Sequence, residues 1–174
     1  MPRTERTTAR PRTPSSPAET RPDVAADPDV EGLVLRATEA HTALMRGDLD
    51  RYRNLITTTG DFTLMAPFGG KPTRAADLSS ERWASIARFF RNGRDSSLEV
   101  VQAYRSADMV VIAAVERTHV EVGGLAGQDW ALRVTLVFRK ENGQWMLAHR
   151  HADPLVEGIS LEQAAELSRG RFAS

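Results

Sequence analysis

From residue 97 to residue 152 the chain consists of four β-rich segments in succession, joined by connections too short for anything but hairpins. SLEVVQAYR (97–105), MVVIAAVERTHVEV (109–122), DWALRVTLVFRK (129–140) and QWMLAHRHA (144–152) are dense in β-branched and aromatic residues, and SAD, GGLAG and ENG between them are turn material. Parallel neighbours would need crossover connections of about a dozen residues. The four segments therefore form an antiparallel meander, and the rest of the chain has to supply whatever covers its apolar face.

The preceding residues have a helical period. Asp27 is placed to cap a helix with Pro28 at its first position, and Val30, Leu33, Val34, Ala37, His41, Leu44 and Met45 recur at spacings of three and four. Gly47 ends that helix, and Asp48 opens a second, short one with Leu49, Tyr52, Leu55 and Ile56 on its apolar side. FTLMAP (62–67) is expected to be a short strand. Ser79 or Ser80 then starts a helix bearing Trp83, Ile86, Ala87 and Phe90, closed by Gly93. Helices segregated from strands in this way make an α+β protein, with helices laid over one face of a curved sheet.

Composition limits what such a chain can do. Lys plus Arg and Asp plus Glu each number 23, so no charge excess favours nucleic acid or a membrane surface as partner. Cysteine is absent, which removes disulfides, thiolate metal sites and a cysteine nucleophile and fits a cytoplasmic location. MVVIAAV (109–115), the longest apolar run, falls far short of the roughly 20 residues a membrane helix needs. Six of the nine prolines lie in the first 28 positions among Thr, Ser and Arg, so residues 1–26 are expected to be a disordered tail with no secretory signal. A domain over 27–158 and a C-terminal helix or tail over 159–174 complete the expected organisation. Leu161, Ala164, Ala165 and Leu167 give the last segment a helical spacing suited to docking on the domain.

WMLAHRHADPLV (145–156) raises the functional question. On an uninterrupted strand Trp145, Leu147, His149, His151 and Asp153 share one face, and Met146, Ala148, Arg150 and Ala152 share the other. Whichever face looks into a pocket decides between histidine chemistry and an arginine grip.

The order of elements, with ALMRGDLDRY on the first hairpin, APFGG after the first strand, LRVTLVFRKENGQW across the last hairpin and HRHADPL at the end, resembles the SnoaL-like branch of the nuclear transport factor 2-like superfamily over about residues 30–156. The resemblance implies a cone with one deep apolar pocket, commonly a homodimer, in a superfamily that includes isomerases, cyclases, hydrolases and inert binding domains. It also implies that the steroid-isomerase machinery is absent. Ala66 stands before Pro67-Phe68-Gly69 where that subgroup has its catalytic aspartate, Thr135 falls at the second pocket acid, and Ala40, beside His41, falls at the helix tyrosine.

The same register implies that Arg133, Thr135 and Val137 point inward. A hairpin closing around Gly124 and Leu125 then brings Glu116 opposite Arg133, and Arg150 also turns inward while His149 and His151 turn away, unless a β-bulge reverses them. Each candidate has a structural and a functional interpretation. Glu116 and Arg133 form a buried strand-holding ion pair, or a base and a substrate clamp. Arg150 is an exposed strand residue, or a guanidinium for an oxyanion. His41 is a satisfied core residue or reaches the pocket, where Tyr52 on the second helix also contributes. His149 and His151 bond within the sheet or at a dimer interface, form a proton relay with Asp153, or, less favourably, share a metal. No metal or cofactor is expected. P-loop, dinucleotide-binding and nucleophile-elbow motifs are all absent. Two functions of different class remain. One is a small-molecule isomerase, cyclase or related hydrolase acting on an apolar oxygenated metabolite such as a polyketide or terpenoid. The other is a non-catalytic ligand-binding or dimerisation domain.

Overall fold

The computed structural model of the chain describes residues 27–169; the expected disordered tail 1–26 lies outside the described residues. Helix α1 (Pro28–Met45) starts where the sequence places it, with the Asp27 side chain accepting from the Asp29 amide, and α2 (Leu49–Leu55) starts at Asp48, which accepts from the Arg51 amide. Gly47 makes the break between them with φ +78°, a conformation costly for a residue with a Cβ.

Strand β1 (Thr58–Met65) is longer than the expected 62–67 and ends before Pro67. A two-residue strand β2 (Thr73–Arg74) and a single 3-10 turn at Ala75–Asp77 lead to α3 (Ser80–Phe89), capped by Ser79. The meander follows as β3 (Phe90–Arg105), β4 (Met109–Val122), β5 (Gln128–Glu141) and β6 (Gln144–Pro154), and α4 (Leu161–Leu167) is last. Spatially the sheet runs β2-β1-β6-β5-β4-β3, antiparallel except where β1 lies parallel to β6. This α+β architecture is the curved sheet and helical cover expected from the sequence. Among the described residues no helix is long and apolar enough to cross a membrane.

Gly93 does not close α3. Phe90 already begins β3, and Gly93 lies inside that strand where it crosses the end of α1; a Cβ there would stand 2.6 Å from the Cβ of Met45. Only hydrogen fits at that crossing. No residue of α4 is buried, and Leu161 and Leu167 are exposed, so the helical spacing forms a helix that does not dock as expected.

The core lies between α1 and the inner face of the sheet. Leu33 and Ala37 from α1 and Phe62 from β1 meet Ile112 and Ala114 of β4 and the row Leu132, Val134, Leu136 and Phe138 of β5. The inner face of β4 carries the even-numbered residues, as expected. On β5 the even-numbered residues are also inward, so Arg133, Thr135 and Val137 face outward and the inward orientation expected for them is wrong. The cause is a one-residue difference in pairing: Glu116 lies opposite Leu132 and Val115 opposite Arg133. A slip of one residue turns every side chain of a strand to the other face.

Strand β6 combines both expected registers. It pairs Phe138 with Leu147 but Val137 with His149, so Ala148 is an extra residue and the strand bulges there. Trp145 and Leu147 consequently face the core, against expectation. Beyond the bulge Arg150 and Ala152 also face it, while His149 and His151 face out, as expected.

Candidate functional site

A small hollow opens between α1, α2 and the inner face of the sheet. It encloses ≈ 30 Å³, or ≈ 370 Å³ when the space open to solvent is included, and its wall is apolar apart from His41, Tyr52, Glu116 and Arg150. Helical periodicity brings His41 to the side of α1 that meets the sheet, and strand alternation brings Glu116 inward on β4. Arg150 arrives from β6 because the bulge at Ala148 lies before it.

Arg150 and Glu116 meet fork to fork. The Nη1 and Nη2 groups donate to Oε1 and Oε2 respectively, each at 2.7 Å. Their side chains are 18% and 4% exposed. Burial pushes the Glu116 carboxyl up, but Arg150 and His41 outweigh it and hold the group below its ordinary value. Burial likewise works against the charge on Arg150, and Glu116 outweighs it, raising the guanidinium above its ordinary value. Both partners are ionised at neutral pH.

His41 stands on the other side of this carboxylate, with Nδ1 3.4 Å from Oε2. Its Nε2 is buried and has no hydrogen-bond partner. Burial lowers the imidazole below its ordinary value; Glu116 and the backbone of Arg117 oppose that shift and Arg150 adds to it. His41 is therefore neutral at pH 7. A carboxylate accepts only, so Glu116 favours the tautomer that carries its proton on Nδ1. Tyr52 completes the polar set, its phenol pushed up chiefly by burial and so kept protonated.

The SnoaL-like domain model matches residues 36–157, which include every one of these groups. The chain belongs to the SnoaL-like domain family. Among solved structures it is similar to a "putative dehydratase" of the NTF2-like family from Streptomyces avermitilis, at 23% identity and TM-score 0.61 over 75% of this chain and 98% of that one. It is also similar to an NTF2-like protein from Cytophaga hutchinsonii, at 14% identity and TM-score 0.57 over 72% and 97% of the two chains. A third likeness is to the CamKII hub homology domain of Chlamydomonas reinhardtii, at 15% identity and TM-score 0.57 over 74% and 99%. These likenesses establish the nuclear transport factor 2-like fold. Among curated proteins, none matches the sequence.

Within this SnoaL-like domain the expected site residues divide into two groups. His41, Tyr52, Glu116 and Arg150 converge on the hollow. Arg133 and Thr135 do not line it. Arg133 instead donates from Nε to Asp153 Oδ1 at 2.6 Å on the outer face, so the expected Glu116–Arg133 pair is replaced by Glu116–Arg150 and Arg133–Asp153. His149 Nδ1 lies 2.7 Å from Thr63 Oγ1 on the neighbouring β1, and His151 is exposed. The proton relay His149–His151–Asp153 has no access to the hollow from that face. Among the described residues no three His, Cys, Asp or Glu side chains converge as metal ligands.

Sequence reasoning also missed the apolar wall supplied by Leu136, Phe138 and Leu147. For β5 the signal was present: Leu132, Val134, Leu136 and Phe138 are large and apolar at every second position, and Arg133, Thr135 and Arg139 alternate with them.

Proposed function

We propose that this SnoaL-like domain is a small-molecule enzyme of the isomerase, cyclase or related hydrolase type, acting on an apolar oxygenated metabolite such as a polyketide or terpenoid intermediate, with His41 as its proton-transferring base. One observation carries the reading: a buried imidazole in the wall of the hollow whose Nδ1 lies 3.4 Å from a fixed carboxylate and whose Nε2 has no side-chain partner. Glu116 is a poor base because Arg150 occupies both its oxygens and keeps it ionised, so the role first considered for Glu116 passes to His41. Nε2 accepts a proton from the substrate, and the imidazolium formed is stabilised by Glu116 Oε2. Arg150 is a positioning residue that holds the carboxylate in place. The Tyr52 phenol donates to the oxygen on which negative charge develops. The proton then returns from Nε2 to a different atom of the same substrate, so the step needs no redox partner.

The test starts from metabolites that copurify with the protein and are identified by native mass spectrometry. Returned to wild-type protein in D2O, the ligand is expected to acquire deuterium in its product, and His41→Gln is expected to lower that rate by about 10²–10⁴-fold. The wild-type rate falls as pH drops below the ordinary histidine range, because His41 becomes protonated there. Equal conversion by His41→Gln would remove the proposed base.

The small interior favours a second reading, since ligand pockets typically span about 300–1,000 Å³. On this reading the domain binds or assembles without catalysis. Its outer sheet face, where Val111, Ala113, Val115 and Val137 surround His149 and His151, covers a second copy as a homodimer, and the likeness to a hub homology domain supports it. Light scattering separates the elements of this reading: Val115→Asp is expected to convert a dimer to monomers, and a monomeric wild-type protein would exclude the dimer.

A further inference from the structure

We infer that the C-terminal arm, residues 156–167, packs on an aromatic, arginine-rimmed patch of a second copy of this chain, which returns its own arm, so that two copies exchange their last helices. Nothing in the arm's own chain covers it. Leu161 and Leu167 are 85% and 79% exposed, Val156 and Ile159 are exposed as well, and no residue of α4 is buried. The helix nevertheless has a defined start, where Ser160 Oγ accepts from the Gln163 amide and Gln163 Oε1 from the Ser160 amide. Seven residues are too few for a helix to be stable in water by propensity alone, so α4 depends on packing against something. Glu162 and Glu166, four residues apart, share one side of the helix, and Glu157 precedes it.

The patch has the complementary chemistry. Phe68 and Phe89 are both exposed and meet edge to edge-on face with centroids 5.1 Å apart, and Trp130 lies 6.1 Å from Phe68. Leu125, also exposed, stands in the β4–β5 loop just beyond Gly123, where a Cβ would come within 2.9 Å of the Phe89 ring. Next to Phe89, Arg46, Arg88 and Arg91 line one surface groove. Arg46 donates to the Gly93 carbonyl at 3.3 Å, and Glu121, opposite Arg91 on β4, accepts from Asn92 at 2.8 Å. Among the described residues, neither these three arginines nor the three glutamates of the arm form an ion pair. An acidic helix with bare apolar side chains thus matches an aromatic surface rimmed by unpaired guanidinium groups, in charge and in polarity.

The point where the arm leaves the domain makes the exchange reciprocal. The Leu155 amide donates to the Ala131 carbonyl at 2.9 Å, and Ala131 follows Trp130, whose ring neighbours Phe68. Arm and patch therefore lie at the same end of the fold, and a two-fold axis through that end carries each arm to the other copy's patch in one closed contact. Residues 156–160 span at most about 18 Å when extended, which gives the helix room to cross.

Light scattering on the full chain over a range of concentrations tests the exchange. Wild type is expected to dimerise, and Leu161→Ser/Leu167→Ser, at two positions exposed in the single chain, to raise the dimer Kd by at least about tenfold with the circular dichroism of the domain unchanged. Glu162→Arg/Glu166→Arg and Arg88→Glu/Arg91→Glu are each expected to weaken the dimer similarly, and the chain carrying all four reversals to regain it, a result that a damaged fold cannot give. Failure of the fourfold reversal to restore association overturns the pairing of arm with patch. If the arm folds onto its own patch, or awaits a different protein, the chain alone stays monomeric, and a monomeric wild type overturns the exchange. Association that Val115→Asp abolishes and the arm variants leave intact belongs to the outer sheet face and overturns it too.

Discussion

Two of the arginine–carboxylate pairs on the sheet have similar distances but different environments. Glu116–Arg150, on the inner face, is bidentate at 2.7 Å, with side chains 4% and 18% exposed. Arg133–Asp153, on the outer face, makes one contact at 2.6 Å, with side chains 62% and 39% exposed. Contact length therefore does not rank them. In the interior each charge has given up its hydration and depends on the other, whereas on the surface water and salt replace whatever the partner supplies.

Breaking the inner pair gives the largest expected effect. Arg150→Met leaves Glu116 buried and unpaired and is expected to cost about 3–5 kcal/mol of stability, read from urea or thermal unfolding. The double variant Glu116→Leu/Arg150→Met removes both charges and is expected to recover most of that loss while abolishing the function of His41. If the double variant is as unstable as Arg150→Met, the loss came from packing and the contrast between the two faces is misdrawn.

Acid sharpens the same contrast. His41 has a folded-state value below the ordinary 6.5, so between those two values the unfolded chain binds a proton that the folded chain does not. Stability therefore falls as pH drops from about 6.5 through the folded value, by no more than about 1.4 kcal/mol per pH unit for one group. Glu116, also lowered, adds a second loss as pH falls from 4.5 through its own folded value. His149 is lowered as well, by burial and by His151, and contributes in the first window from a more exposed position. Unfolding free energies measured across pH are expected to lose most of the upper limb in His41→Gln. An unchanged limb in that variant would place the titration elsewhere.

The elements were legible in the sequence because their signals are local: caps at Asp27, Asp48 and Ser79, and a run of β-branched segments with short turns. Strand faces were legible only where the pattern was followed rather than a count. The register implied by the family resemblance turned Thr135 inward, although the row Leu132, Val134, Leu136 and Phe138 identifies the buried face of β5 directly. The identity of Arg150's partner was not local at all. It depends on an extra residue at Ala148 and on a one-residue pairing shift at the Gly123–Gly127 loop, neither of which alters composition or period. Arg150 was placed inward correctly because the bulge precedes it, whereas Trp145 and Leu147, on its other side, were misassigned.

The smallest expected effect belongs to the outer pair, and it tests the face assignment most cleanly. Arg133→Ala removes a single surface contact to Asp153 and a side chain that does not line the hollow. Its cost is expected to be below about 1 kcal/mol and to shrink further in high salt, because exposed pairs gain little over their hydrated partners. Deuterium incorporation by the same variant is expected to match wild type. Had Arg133 pointed inward beside Glu116, the substitution would instead strand a buried carboxylate and change both measurements together. A large loss of stability with altered deuterium incorporation would thus reverse the parity of β5 and, with it, the assignment of Arg150 as the partner of Glu116.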